Sequence, residues 1–269
     1  MKTLVLINKD ETLINVRTEH ITDSRIHEVV RRAQSQGIQI GLHSDSPLQS
    51  LVDVQFQLGM DGPTIAELGT VISLCLRSSP IYVLDEETRG LLQSLRYDLL
   101  DFAKIHSIEV WLGDVVENRL SARFGTPDRR VIGINARRQS SCLGFSWRTK
   151  EDGSLSPDVE LLRQIDAWVK SRPEANQLQV MTNLEHGVFA VHAVMASKRL
   201  GTDYLRIQWP DIKIIMIGNA LIDYCGEGIV HAAVGNADTE FKERADYVSS
   251  APHTAGVVDI LECILRGEL

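Results

Sequence analysis

An α/β fold with a parallel sheet, interrupted by an inserted α+β unit, is predicted by three features of the 269-residue chain. The first is the apolar run Leu4-Val5-Leu6-Ile7, which breaks abruptly into the polar stretch Asn8-Lys9-Asp10-Glu11-Thr12. Such a run is the pattern of a strand buried on both faces, and polar groups at its C-terminal end stand where a parallel sheet meets its ligands. The second is the alternation of strand and helix patterns over residues 1–80, which resumes over 187–269. The third is the change of character over 81–186, where several short strand-like runs accompany two long helices.

After the first strand, Ile21 to Gly37 reads as a helix, with Thr22 or Ser24 as cap, Ile26, Val29, Val30 and Ala33 on one face, and Gly37 as the stop. Ile38 to Leu42 is a second buried strand, so strand-helix-strand points to parallel pairing. It runs into His43-Ser44-Asp45-Ser46-Pro47, which places Pro47 in the first turn of the next helix and Ser44 near that helix's positive end. A hydroxyl there either caps the helix or receives a phosphate. The segment Leu58 to Gly69 reads as a glycine-rich turn series at the sheet edge.

In the middle of the chain, Ile81 to Leu84 reads as a strand. Asp85-Glu86-Glu87 then opens a helix that turns Leu91, Leu92, Leu95, Leu99, Phe102 and Ala103 inward. Strand-like runs follow at Ile108–Leu112, Leu120–Phe124, Val131–Ile134 and Cys142–Trp147. Ser156-Pro157 is read as the start of a helix with Leu161, Leu162, Ile165 and Trp168 on its apolar face. Arg119, Arg123, Arg129, Arg130, Arg137, Arg138, Arg148 and Lys150 face a single acid, Asp128. Such a stretch either receives an anionic ligand or guards sheet edges against aggregation. The chain returns to the first unit with a strand at Val188–Val194 and a helix at Ala196–Arg206 that carries Lys198 near its start. The apolar strand Ile212–Ile217 then leads into Gly218-Asn219-Ala220-Leu221-Ile222-Asp223.

The order and spacing of these segments resemble the haloacid dehalogenase superfamily of phosphatases, in the sugar-phosphatase-like branch with a large cap between the second and third motifs. The family's first motif runs from an apolar strand into Asp-x-Asp-Gly-Thr-Leu; here Asp10, Thr12 and Leu13 match, while Asn8 and Glu11 depart. Ser44 stands at the second motif, Lys198 at the third, and Gly218 and Asp223 match the fourth, in which Asn219 and Ile222 depart. The run His231 to Val248 is similar to the family's "AVGNA…K..ADYV" tail, and Leu58–Gly69 to its "GLDGPVIAENGA" segment.

The resemblance implies a Rossmann-like core made of 1–80 and 187–269, with an α/β cap over 81–186. It also implies a nucleophile at position 8, acid/base work at Asp10, and phosphate held by Ser44 and Lys198. Magnesium would be bound at the positions of Asn8, Asp10, Asn219 and Asp223. An amide is neutral and a poor nucleophile, so Asn8 removes the covalent route, and two amides in place of two carboxylates weaken the metal site. Glu11 could supply a carboxylate that partly rescues the metal site, although its longer side chain starts from the wrong backbone position. The expectation is a phosphatase-related protein with lost or strongly reduced magnesium-dependent activity that still holds a small phosphorylated or anionic ligand in its cleft. Two rivals stand beside it: a working phosphomonoesterase with Asp10 as base for water attack, and a regulatory or structural partner protein whose cleft is unused.

Composition sets the outer bounds. A formal net charge of -8 argues against a general nucleic-acid binder. No apolar run approaches a membrane span, and Met1-Lys2 leads straight into a strand with no signal-peptide pattern. Cys75, Cys142, Cys225 and Cys263 form no CxxC pair, as expected of free thiols in a cytoplasmic setting. His186 and His192 share a face if one strand holds both, but no third metal ligand accompanies them.

Overall fold

The computed structural model describes residues 2–16, 18, 20–76, 78–113 and 127–269. In chain order its elements are β1 (Thr3–Ile7), α1 (Ile26–Ser35), β2 (Ile38–His43), α2 (Leu48–Leu58), β3 (Thr64–Ala66), β4 (Val71–Ser73) and β5 (Ile81–Tyr82). Then come α3 (Glu86–Ile105), β6 (Glu109–Gly113), β7 (Arg130–Asn135), β8 (Cys142–Thr149), β9 (Leu155–Pro157), α4 (Val159–Lys170), β10 (Leu178–Asn183) and β11 (Val188–Ala193). The chain ends with α5 (Lys198–Gln208), β12 (Lys213–Gly218), β13 (Val230–Ala233), α6 (Thr239–Lys242), β14 (Tyr247–Val248) and α7 (His253–Leu265). Two compact units result, one of Met1–Val83 with Ala196–Leu269 and one of Leu84–Met195.

The first unit is built on a sheet of order β14-β13-β12-β1-β2-β3-β4-β5. β1 lies between β12 and β2 and is parallel to both. Its residues divide by parity between two cores, as a strand covered on both faces must. Val5 and Ile7 join Val29, Leu42, Ile217 and Leu261 on one side, while Leu4 and Leu6 join Ile65, Leu205 and Met216 on the other. Full burial of each such side chain is worth about 1.5–3 kcal/mol, so the strand that carries Asn8 at its end is among the most firmly held parts of the unit. Because the chain leaves β1 toward β2 on one side and reaches β12 on the other, the strand ends beyond Ile7, His43 and Gly218 meet at a topological switch point.

α1 is shorter than its pattern suggests. Its buried face is Ile26, Val29, Val30 and Ala33 as expected, but Arg25 is its N-cap and makes no side-chain capping bond. Thr22 is instead held by Thr254, whose hydroxyl oxygen takes the Thr22 N–H at 3.0 Å. Pro47 is the N-cap of α2 rather than a first-turn residue. The strand expected at Ile81–Leu84 as part of the inserted unit pairs antiparallel with β4 and closes an edge of the first sheet.

The second unit carries a sheet of order β10-β11-β8-β7-β6, with β9 alongside β8. It is mainly antiparallel, but β6 and β7 run parallel. α3 begins where Asp85 accepts the Thr88 N–H at 2.7 Å and buries Leu92, Leu95, Leu99, Phe102 and Ala103. Two expectations are corrected here. Val188–Ala193 pairs with β10 and β8, so it belongs to this sheet and not to the first unit. α4 begins at Val159 behind the cap Asp158, which accepts the Leu161 N–H at 2.9 Å, because Leu155–Pro157 is taken up in pairing with β8.

In the basic stretch, Arg130 is neutralised by Asp158 at 2.8 Å, an acid outside the stretch, and Arg148 reaches Asp128 at 3.1 Å. Arg119, Arg123 and the strand expected at Leu120–Phe124 lie outside the described residues. His186 falls in the turn before β11 and His192 within it, so no single strand holds both. Among the described residues no group of three His, Cys, Asp or Glu side chains is placed to hold a metal, and no helix is long and apolar enough to cross a membrane.

Candidate active site

The first unit by itself gathers Asn8, Asp10, Thr12, Lys198, Asn219 and Asp223 into one network. Asn8 follows β1, and its backbone N–H is tied to the Ile217 carbonyl at 2.8 Å. Lys198 opens α5 behind the Ser197 cap, which accepts the Leu200 N–H at 3.2 Å. That helix end comes close because of Gly69, whose φ is +90° and whose hypothetical Cβ would lie 2.1 Å from the Ser197 carbonyl oxygen. Asp223 folds back over the end of β12, where a Cβ on Gly218 would stand 2.3 Å from its carboxylate. These contacts give physical reasons for two of the glycines within the sequence motifs.

Lys198 Nζ donates to Asn8 Oδ1 at 3.0 Å, to the His43 carbonyl at 2.8 Å and to Asp223 Oδ1. An ammonium only donates, so the Asn8 atom facing it must be the carbonyl oxygen, and this fixes the amide's orientation. The NH2 of Asn8 therefore points the other way. Three oxygens converge on it: Asn219 Oδ1 at 2.9 Å, the Asp10 carbonyl at 3.0 Å and Thr12 Oγ1 at 3.3 Å. Thr12 in turn donates to Asn219 Oδ1 at 2.8 Å. Asp223 Oδ2 accepts the N–H groups of Asn219 at 2.7 Å and Ala220 at 3.0 Å. Lys198 and Asp223 form a buried ion pair, their side chains 2% and 0% exposed.

Magnesium is the ion the resemblance implies, and this donor set does not fit it. Magnesium needs a near-octahedral shell of hard oxygens rich in carboxylate. Here the oxygens that would make such a shell already converge on an amide N–H donor. Both oxygens of Asp223 are engaged by Lys198 and backbone N–H groups, which leaves Asp10 as the network's remaining carboxylate. Glu11 does not replace the lost ones. Its Oε1 accepts the Val16 N–H at 3.1 Å and its Oε2 lies 3.6 Å from His253 Nδ1. Its φ of +58° shows why the family's motif has Gly at this place. Ile222 is 39% exposed and adds no polar group to the network.

Asp10 faces outward, with its side chain 45% exposed, and is held by residues the motif comparison did not single out. Ser46 Oγ donates to its Oδ2 at 3.0 Å, and Lys9 Nζ reaches its Oδ1 at 2.9 Å. Ser44 is buried and accepts the Ser46 N–H at 3.2 Å. The hydroxyl in contact with the acid is therefore that of Ser46, two residues on. Thr12 matches the motif, and in the structure it contacts both amides, accepting from Asn8 and donating to Asn219. The available signal was the polar density of residues 8–12 and 43–46, every member of which is a hydrogen-bonding residue. Cys225, whose thiol meets the Asp223 carbonyl at 3.5 Å, is pushed up to about 12 by burial and stays a thiol rather than a nucleophile.

His43 is fully buried, and neither of its ring nitrogens has a hydrogen-bond partner among the described residues. Burial, and secondarily the Lys198 ammonium, hold its imidazole well below the ordinary histidine value. The unfolded chain, with an ordinary imidazole near 6.5, binds the proton that the folded state refuses, so stability should fall as pH drops below about 6.5. His231, also depressed by burial, adds in the same direction. Denaturation measured from pH 7.5 to 5 should show this slope, up to about 1.4 kcal/mol per pH unit for each proton, and His43→Leu should flatten it. An unchanged slope in that variant would contradict the assignment.

No family model matches the chain. A phosphoglycolate phosphatase of Staphylothermus marinus is 22% identical over 272 residues, spanning 97% of each chain. Among solved structures, a haloacid dehalogenase-like hydrolase from Bacteroides thetaiotaomicron superposes with a TM-score of 0.71 at 19% identity, over 98% of this chain and 100% of that one. A haloacid dehalogenase-like hydrolase from B. subtilis superposes with a TM-score of 0.65 at 20% identity, over 97% of this chain and 99% of that one. The likeness extends over nearly the whole chain in each case, and the chain has the fold of the haloacid dehalogenase-like hydrolases.

Proposed function

We propose that this chain is a phosphatase-fold protein whose magnesium-dependent hydrolysis is lost or strongly reduced, and which retains a site for a small phosphorylated or anionic ligand. One observation carries the reading: the Asn8 NH2 donates into Asn219 Oδ1, the Asp10 carbonyl and Thr12 Oγ1, where a metal-dependent site would need oxygens free for a cation. The covalent route fails for a second reason. Asn8 Oδ1 is a neutral amide oxygen already accepting from Lys198, so it offers phosphorus no activated lone pair. Metal binding is accordingly weak or absent. On the ligand side, Asp10 is exposed, the Ser44 hydroxyl donates to no group among the described residues while accepting the Ser46 N–H, and Lys198 places a positive charge behind Asn8. The relative's name supports a small phosphomonoester of the phosphoglycolate type as the first ligand to test. The free thiols of all four cysteines support a cytoplasmic setting.

Steady-state assays of phosphoglycolate and phosphorylated sugars, with magnesium and with EDTA, test the reading. Turnover should stay at background in both. Turnover that rises with magnesium would overturn it.

A second reading, direct water attack with Asp10 as base, is favoured by the exposure of Asp10 and by its anchoring on Ser46. It requires turnover that persists in EDTA and disappears in Asp10→Ala.

A further inference from the structure

We propose that Lys9 stands in for the divalent cation as the accessible positive charge of this site and binds the anion of a phosphomonoester directly. The proposal rests on the anion-binding reading above and names the group that performs it. The argument starts from charge. Two amides in place of two carboxylates remove two negative charges, as many as a divalent cation brings positive ones. What remains in the network is Asp10 and Asp223 against Lys9 and Lys198, two carboxylates matched by two ammoniums.

The two pairs differ in what they can still do. The inner pair is closed, because Lys198 is buried and spends its three protons on Asn8 Oδ1, the His43 carbonyl and Asp223 Oδ1. The outer pair is open. Lys9 Nζ lies 2.9 Å from Asp10 Oδ1 and 3.0 Å from Ser46 Oγ, its side chain is 19% exposed, and it uses two of its three protons among the described residues. Ser46 Oγ accepts from Lys9 and donates to Asp10 Oδ2 at 3.0 Å, so the ammonium is braced on two sides rather than waving in solvent. A braced ammonium with one proton to give loses little side-chain entropy when an anion arrives. It also sits one residue from Asn8, at the strand end where an α/β sheet receives its ligands.

The test titrates the full chain with inorganic phosphate in EDTA by calorimetry, with 31P NMR as a second readout. Wild type should bind saturably and without response to added magnesium. Lys9→Gln should weaken binding by about 10–100-fold, the range for loss of one charge-assisted hydrogen bond, while Lys9→Arg should stay within about threefold. Thermal denaturation of Lys9→Gln close to wild type would show that the loss is local. Equal phosphate affinity in wild type and Lys9→Gln would overturn the role of Lys9 while leaving the anion-binding reading standing. Binding that requires magnesium would overturn the replacement of the cation. No phosphate binding by wild type would overturn both proposals.

Discussion

Replacing Lys198 by Met should destabilise the protein by about 3–5 kcal/mol, the cost of leaving one member of a buried ion pair without its partner. Asp223 would keep its two backbone N–H donors but lose the ammonium, and its carboxylate is fully buried. Asn8 Oδ1 and the His43 carbonyl would lose their donor as well. Adding Asp223→Asn to Lys198→Met should recover a large part of the loss, since the buried charge then disappears together with its partner. Chemical denaturation of the two single variants and the double variant checks this. A single variant costing less than about 1 kcal/mol would show that the pair is not the internal anchor described here.

The second large effect is a restored metal response. In Asn8→Asp with Asn219→Asp, two carboxylates would face each other where an amide N–H now meets an amide oxygen at 2.9 Å. Like charges at that separation disfavour the ionised pair, so the variant should be less stable than wild type in EDTA. Magnesium should then rescue it, by about 2.7 kcal/mol at one hundred times its dissociation constant. The wild-type denaturation midpoint should be the same with magnesium and with EDTA. If the double variant also ignores magnesium, the site has been remodelled beyond the two amides, with Glu11 and Ile222 the residues to examine next.

Much of the frame was legible before any coordinates. Buried parallel strands are apolar throughout, so β1, β2 and β12 stand out as runs, and the two amides were visible as departures at matched positions. Lys198 and Asp223 were legible only as positions. That the lysine spends all its protons inside the protein depends on partners up to 190 residues away, which spacing does not encode. The same holds for the Asn8–Asn219 contact across 211 residues. Ser44 drew attention by its place before a helix, yet Ser46 reaches the acid, because the turn after β2 hydrogen-bonds onto itself first. The strand expected at Val188–Val194 as part of the first unit pairs in the second unit's sheet for a related reason. A short apolar strand carries no mark of its partner, and pairing was decided by the adjacent β10 and β8. The start expected for α4 at Ser156-Pro157 is too early because Pro157, a good first-turn residue, is here the end of a strand.

A magnesium titration of the wild-type protein by calorimetry tests the central claim most directly. The network of Asn8, Asn219, Thr12, Lys198 and Asp223 is complete without an ion, and no saturable heat should appear up to millimolar magnesium. Saturable binding that disappears in Asn219→Ala would contradict the account and return the site to metal chemistry.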